Sequence, residues 1–198
     1  MGLREVRAKL KDLEKNELVE LIADLYKKKK PVKEYLDYKF KNDDWEFHDK
    51  YVKKLVSLLN PGFGQDVKLD EAQKLINDYK KFNPEPQFVA DLMIIYLEVG
   101  MYISVHISAY DPLMLHNLHT MLSNVLQYCS KYDLLQILKE RFKVLLVLSD
   151  DLIDENEESS WPFNEIVMKM INEYIPDLFE DNKGESDTQK KFIEFPKL

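Results

Sequence analysis

The chain has 198 residues, is 45% hydrophobic and 32% charged, and carries a net charge of −8 with one cysteine and five glycines. That supplies apolar residues for one substantial core or two small ones, leaves too little glycine for a hairpin-rich β protein, and excludes an internal disulfide. The acidic total argues against general nucleic-acid binding, and with charges scattered through the first thirty residues no signal peptide is expected.

In chain order, the segment LREVRAKLKDLEKNELVELIADLYKK reads as two helices. Leu18, Leu21, Ile22 and Leu25 recur at helical spacing in the second. Glu14, Glu17 and Glu20 crowd its early turns and Lys27 to Lys29 its end, which complements the helix dipole. Pro31 sits where a first helical turn tolerates proline, and the helix it opens is expected to turn Val32, Tyr35, Leu36 and Phe40 to the core. A fourth helix spans about Asp44 to Leu59, with Trp45, Tyr51, Val52, Leu55 and Leu59 as its apolar side. NPGFGQD breaks it, with Gly62 and Gly64 flanking Phe63. The next helix opens at LDEAQ, where Asp70 and Gln73 have capping-box spacing, and NPEP ends it. Residues 88–110 and 112–130 are long and sparsely charged, as expected of central helices. The second has no Asp, Glu, Lys or Arg but is too polar for lipid, so no membrane span is expected. Helices over 134–153 and 161–175 follow, separated by the acidic stretch 150–158. The polar tail, 180–198, is expected to be disordered.

These elements predict an all-α protein of about nine helices. An N-terminal helical segment, 1–60, is joined to stacked antiparallel hairpins, 69–176, in a superhelical arrangement of the HEAT or TPR kind, the two parts together forming one domain. The hairpins start about 46 residues apart, within the range of HEAT units. Three pieces then carry a likeness: Leu10 with Leu13, Glu17 to Tyr26, and Val32 to Asp37. They are followed by Gly62-Phe63-Gly64, Lys68 to Ala72, and Pro84, Pro86 and Ala90 to Met93. This succession resembles a family of small all-helical bacterial proteins of unknown function, over about residues 8–175. The resemblance implies a helical fold and no activity, substrate or cofactor.

Three chemistries are open. Lys27, Lys28, Lys30 and Lys33, continuing through Lys39 and Lys41 and interleaved with Tyr26, Tyr35 and Tyr38, could contact phosphates and stack on bases. The opening helices resemble in outline the SAP-type helix–turn–helix that binds DNA. Against this stands the simpler reading of a solvated helix end, with Lys33 and Asp37 paired at i, i+4. His116 and His119 at i, i+3, with His106 before them, could bind Zn²⁺ or Ni²⁺ with Asp111 or Cys129 as a fourth ligand. Both later histidines lie off the stripe Leu115, Leu118, Leu122, Val125, which favours a polar helix edge. The acids at 150–158 do not follow the EF-hand pattern and read as a solvated loop. No nucleophile elbow, P-loop or dinucleotide fingerprint occurs. Cys129 reads as a buried inert thiol, and Trp45 and Trp161 as core anchors.

The expectation is therefore a cytoplasmic, non-enzymatic helical scaffold that binds a protein or peptide and needs no cofactor. The alternatives are nucleic-acid binding through the Lys27–Lys41 surface and a metal-dependent enzyme built on His106, His116 and His119.

Overall fold

The computed structural model describes residues 1–41, 43–62, 64–106, 111–150 and 163–178, the side chains of Val105, His106 and Asp177 excepted. Among them are nine α-helices and no strand: α1 (Leu3–Lys11), α2 (Lys15–Lys28), α3 (Lys30–Lys41), α4 (Asp44–Leu59), α5 (Leu69–Lys80), α6 (Pro86–His106), α7 (Pro112–Lys131), α8 (Lys139–Asp150) and α9 (Phe163–Tyr174). A short 3-10 turn, Pro176–Leu178, follows.

Local chemistry sets several boundaries. The lysine run holds the break between α2 and α3: Lys29 adopts an extended conformation after α2, while its carbonyl accepts from the Lys33 amide at 3.0 Å and starts α3. Asp43 caps α4 by accepting from the Glu46 amide at 2.8 Å, and Asp111 caps α7 by accepting from the Leu113 amide at 2.9 Å. Pro112 then occupies the first turn of α7, where its missing N–H costs nothing. The capping box at Asp70 and Gln73 is not formed. The residue preceding α5 is Lys68, Asp70 lies inside the first turn, and Gln73 instead donates to Asn117 of α7 at 2.6 Å.

The core is built around α6, which packs against α4, α5, α7 and α8; α9 packs on α7 and α8. The hairpins expected after residue 86 are therefore present as α6–α7 and α8–α9, with α6 on α8 and α7 on α9. Gly100 and Leu118 lie equally far from the joined ends of α6 and α7 and meet across the hairpin. A Cβ at Gly100 would stand 2.5 Å from Leu118 Cδ2, so the missing side chain is what lets the two helices approach.

Over Pro86–Ser104, α6 is long and apolar enough to cross a membrane, with a mean hydropathy of 1.3, and 78% of that window is buried against other helices. A helix covered on several sides needs no polar face, which accounts for its composition.

Several expected faces differ. Phe40 is 79% exposed and Tyr35 is exposed, while Tyr38 is the buried residue of α3. Trp45 is 72% exposed and not a core anchor; it lies edge-on to Phe88, with ring centroids 4.8 Å apart. The buried stripe of α4 is His48, Tyr51, Leu55 and Leu59. Helix α8 starts at Lys139 rather than 134, because Leu134–Leu138 forms turns that bury Leu134 and Leu138. Trp161, residues 151–158 and the tail lie outside the described residues. Much of the stripe of α2 is uncovered among the described residues: Leu21, Ile22 and Leu25 are exposed, Leu18 is half-buried, and neither α1 nor α2 has a buried residue.

Candidate functional site

Helix α3 is held to the body by rings. Tyr38 lies 4.5 Å from Phe47 and 5.9 Å edge-on to Phe82, and Tyr35 stacks at 6.4 Å on Phe82. Phe47 also meets Tyr51 and Tyr79, so one aromatic cluster joins α3, α4 and α5. Contacts of this kind fix α3 at discrete points rather than along its length. They leave an open cleft of about 580 Å³ between α3 and α4.

Tyr38 and Phe47 supply aromatic surface to this cleft, and its other lining residues are charged. Glu34 and Asp37 come from α3; Glu46 and Asp49 come from α4. Lys41, Lys50, Lys53 and Lys54 supply the opposite sign. Some of these charges are engaged: Lys53 pairs with Asp49 at 2.7 Å, and Lys54 sits 5.2 Å over the Tyr51 ring. Lys41 and Lys50 have no ion pair among the described residues. Burial, with Asp44 adding, pushes the Tyr38 hydroxyl up to about 12, so it stays protonated at neutral pH.

Behind the aromatic cluster lies a charged network joining α4, α6 and α8. Arg141 donates through Nε and Nη2 to the two oxygens of Glu98, both at 2.8 Å, and through Nη1 to Asp91 Oδ1 at 2.6 Å. His48 Nε2 lies 2.7 Å from Asp91 Oδ2. Burial pushes the Asp91 carboxyl up, but the His48 hydrogen bond and the Arg141 charge outweigh it and hold the group below the ordinary range. An ionised Asp91 can only accept, so His48 donates from Nε2. Its buried Nδ1 has no hydrogen-bond partner among the described residues. Glu98 goes the other way: burial lifts its carboxyl above the ordinary value despite Arg141, and Asp91 adds to the lift. His48 is 5% exposed and Glu98 is 7% exposed, too little for either to meet a substrate in this conformation. The network ties α4, α6 and α8 together.

The remaining candidates lie apart from one another. His116 is exposed and His119 half-buried on α7, at the polar edge expected of them. Neither proposed fourth ligand fits. The Asp111 carboxylate caps α7, and Cys129 lies ten residues beyond His119 on the same helix, roughly 15 Å at 1.5 Å per residue. Burial also pushes the Cys129 thiol up to about 12, away from the thiolate that binds metal. No group of three or more His, Cys, Asp or Glu placed to hold a metal occurs among the described residues, and the His106 side chain is outside them.

On the lysine surface, Lys27, Lys28, Lys30 and Lys33 are all exposed. Lys28 pairs with Asp24 at 2.8 Å. The expected Lys33–Asp37 pair is replaced. Tyr26 donates to Asp37 at 2.8 Å, and Lys33 sits 5.6 Å over the Tyr26 ring. Lys39 lies 5.0 Å from the Tyr38 ring and 5.9 Å from the Tyr35 ring, so the chain's own lysines occupy the faces that bases would stack on.

A family model matches residues 1–171, across all nine helices up to the last turn of α9. The chain belongs to the Family of unknown function (DUF6155). No curated protein and no solved structure matches this DUF6155 chain. Membership thus extends over both the cleft and the network without assigning a role to either.

Sequence reasoning passed over His48, Asp91, Glu98 and Arg141. Two signals were there. His48 falls on the α4 stripe at i−3 from Tyr51, and Asp91 and Glu98 are the two carboxylates of an otherwise uncharged 21-residue helix, seven apart on one face. Buried carboxylates require a cation.

Proposed function

We propose that this protein is a non-enzymatic, cytoplasmic helical scaffold that binds a peptide segment of another protein in the α3–α4 cleft. The observation that carries this reading is the cleft itself: aromatic surface from Tyr38 and Phe47 beside carboxylates and lysines of both signs. Such a surface suits a segment with one apolar anchor flanked by charged residues of both signs. The stacking of hairpin α6–α7 on α8–α9 agrees with a repeat-like, superhelical architecture of the sort that presents binding surfaces. Nucleic-acid binding draws less support, because the tyrosines of the basic surface are engaged by Asp37 and by lysines. A metal-dependent enzyme draws less still, since His116 and His119 gain no third ligand among the described residues.

A random peptide library displayed on phage, selected against the wild-type chain, tests this. Enriched peptides should carry an aromatic or aliphatic anchor with charged neighbours. They should lose at least about tenfold in affinity for Lys41→Glu/Lys50→Glu, equivalent to about 1.4 kcal/mol. No enrichment, or enriched peptides that bind the double variant equally well, would overturn the reading.

A further inference from the structure

Helix α2 stands apart from the cleft and is unusual in what it leaves uncovered. Val19, Leu21, Ile22 and Leu25 are 54%, 40%, 48% and 37% exposed, although Leu18, Leu21, Ile22 and Leu25 form a regular helical stripe. The helix is attached to α3 through a different side, where Ala23 and Tyr26 are half-buried and Tyr26 reaches Asp37. A contiguous apolar stripe on an amphipathic helix marks an interaction surface rather than a random exposure.

The stripe has a definite symmetry. Along it lie Glu14, Leu18, Leu21, Ile22, Leu25 and Lys29, spaced evenly about the midpoint between Leu21 and Ile22. Turning the helix end for end exchanges Leu18 with Leu25, Leu21 with Ile22, and Glu14 with Lys29. The pattern is a palindrome in its apolar residues and inverted in its charges. Glu17 and Lys28, eleven residues or about three turns apart, share one flank of the stripe, but they centre one residue beyond that midpoint, and Lys28 is paired with Asp24. Glu14 and Lys29, which flank α2 at its two ends, are both exposed.

A surface with this pattern is complementary to itself in one orientation only. We propose that the α2 stripe docks on the α2 stripe of a second copy of this chain, antiparallel and about a two-fold axis near Leu21 and Ile22. The two-fold makes the interface isologous, so each contact occurs twice. It sets Glu14 of one copy against Lys29 of the other at both ends. A parallel arrangement would instead oppose glutamate with glutamate and lysine with lysine, which charge repulsion disfavours.

Sedimentation velocity over a range of about 1 to 200 µM, spanning weak to moderate self-association, tests this on the full chain. The 23.5 kDa chain should move reversibly towards twice its mass, and Ile22→Glu should remain monomeric with an unchanged helical circular dichroism spectrum. Glu14→Lys and Lys29→Glu should each weaken association about tenfold, because each places like charges at both ends of the homodimer. An equimolar mixture of the two variants should recover wild-type association, since both ends then oppose unlike charges. A wild-type chain that stays monomeric throughout, an Ile22→Glu chain that still associates, or a mixture no stronger than its components would each overturn the proposal.

Discussion

Arg141→Met should destabilise the protein far more than the loss of a surface ion pair. The guanidinium makes three charge-assisted hydrogen bonds, two to Glu98 and one to Asp91. The side chains of Arg141, Asp91 and Glu98 are 33%, 25% and 10% exposed. Removing one partner of a fully buried pair costs about 3–5 kcal/mol, mostly the penalty of the charge left behind. Because Arg141 and Asp91 keep some solvent, about 2–4 kcal/mol is expected here. For a chain of this size that lowers Tm by roughly 4–16 °C. Glu98 is the more costly orphan, since Asp91 keeps His48. The double variant Glu98→Met/Arg141→Met removes that orphan and should be more stable than Arg141→Met alone. Urea unfolding followed by circular dichroism gives both differences. A cost below about 1 kcal/mol for the single variant, or a double variant less stable than the single, would refute a desolvated network.

Two further outcomes follow from particular contacts. Glu98 has a raised carboxyl, so the folded chain binds its proton before the unfolded chain does; it adds stability below the ordinary glutamate pKa and loses it as pH rises through the raised value. Compared with Glu98→Gln, wild-type Tm should therefore rise as pH falls from neutral towards about 5, while both chains lose stability below about pH 4 as Asp91 protonates through its depressed value; parallel Tm profiles for the two chains would contradict this. Gly100→Val should cost about 2–4 kcal/mol by urea unfolding, because its Cβ meets the fully buried Leu118 and adds a branched side chain to a closed hairpin, and a neutral substitution would show that α6 and α7 are not so closely apposed.

Helix number and most helix boundaries were legible because they rest on local chemistry. Proline and glycine punctuation acts within a few residues of where it is read. Which face of a helix is buried was legible only where the helix lies in the body. On α4, Tyr51, Leu55 and Leu59 are core, but Trp45 stands at the helix start, where it lies edge-on to Phe88 at the opening of α6 and stays 72% exposed. On α3, Tyr38 displaced Phe40 because the docking is made by ring contacts to Phe47 and Phe82 rather than by a continuous stripe. On α2 the periodicity showed in the sequence, but periodicity alone does not state whether the same chain covers the stripe. The network escaped for another reason. Its members come from segments up to 93 residues apart, from His48 to Arg141, and no local pattern states which buried carboxylate meets which cation.

Arg141 has a consequence for the alignment of helices. Apolar side chains on α6 and α8 present similar ridges turn after turn, so contacts between them discriminate poorly against a slide of one turn, about 5.4 Å. Asp91 and Glu98 are two turns apart along α6, and one guanidinium reaches both only when α8 sits at a single height between them. A slide either way would strand at least one carboxylate in the interior. The network thus works as a vernier mark: it selects the one axial setting of α8, and hence of α9 behind it, from a ladder of settings that the apolar core alone would leave nearly equal.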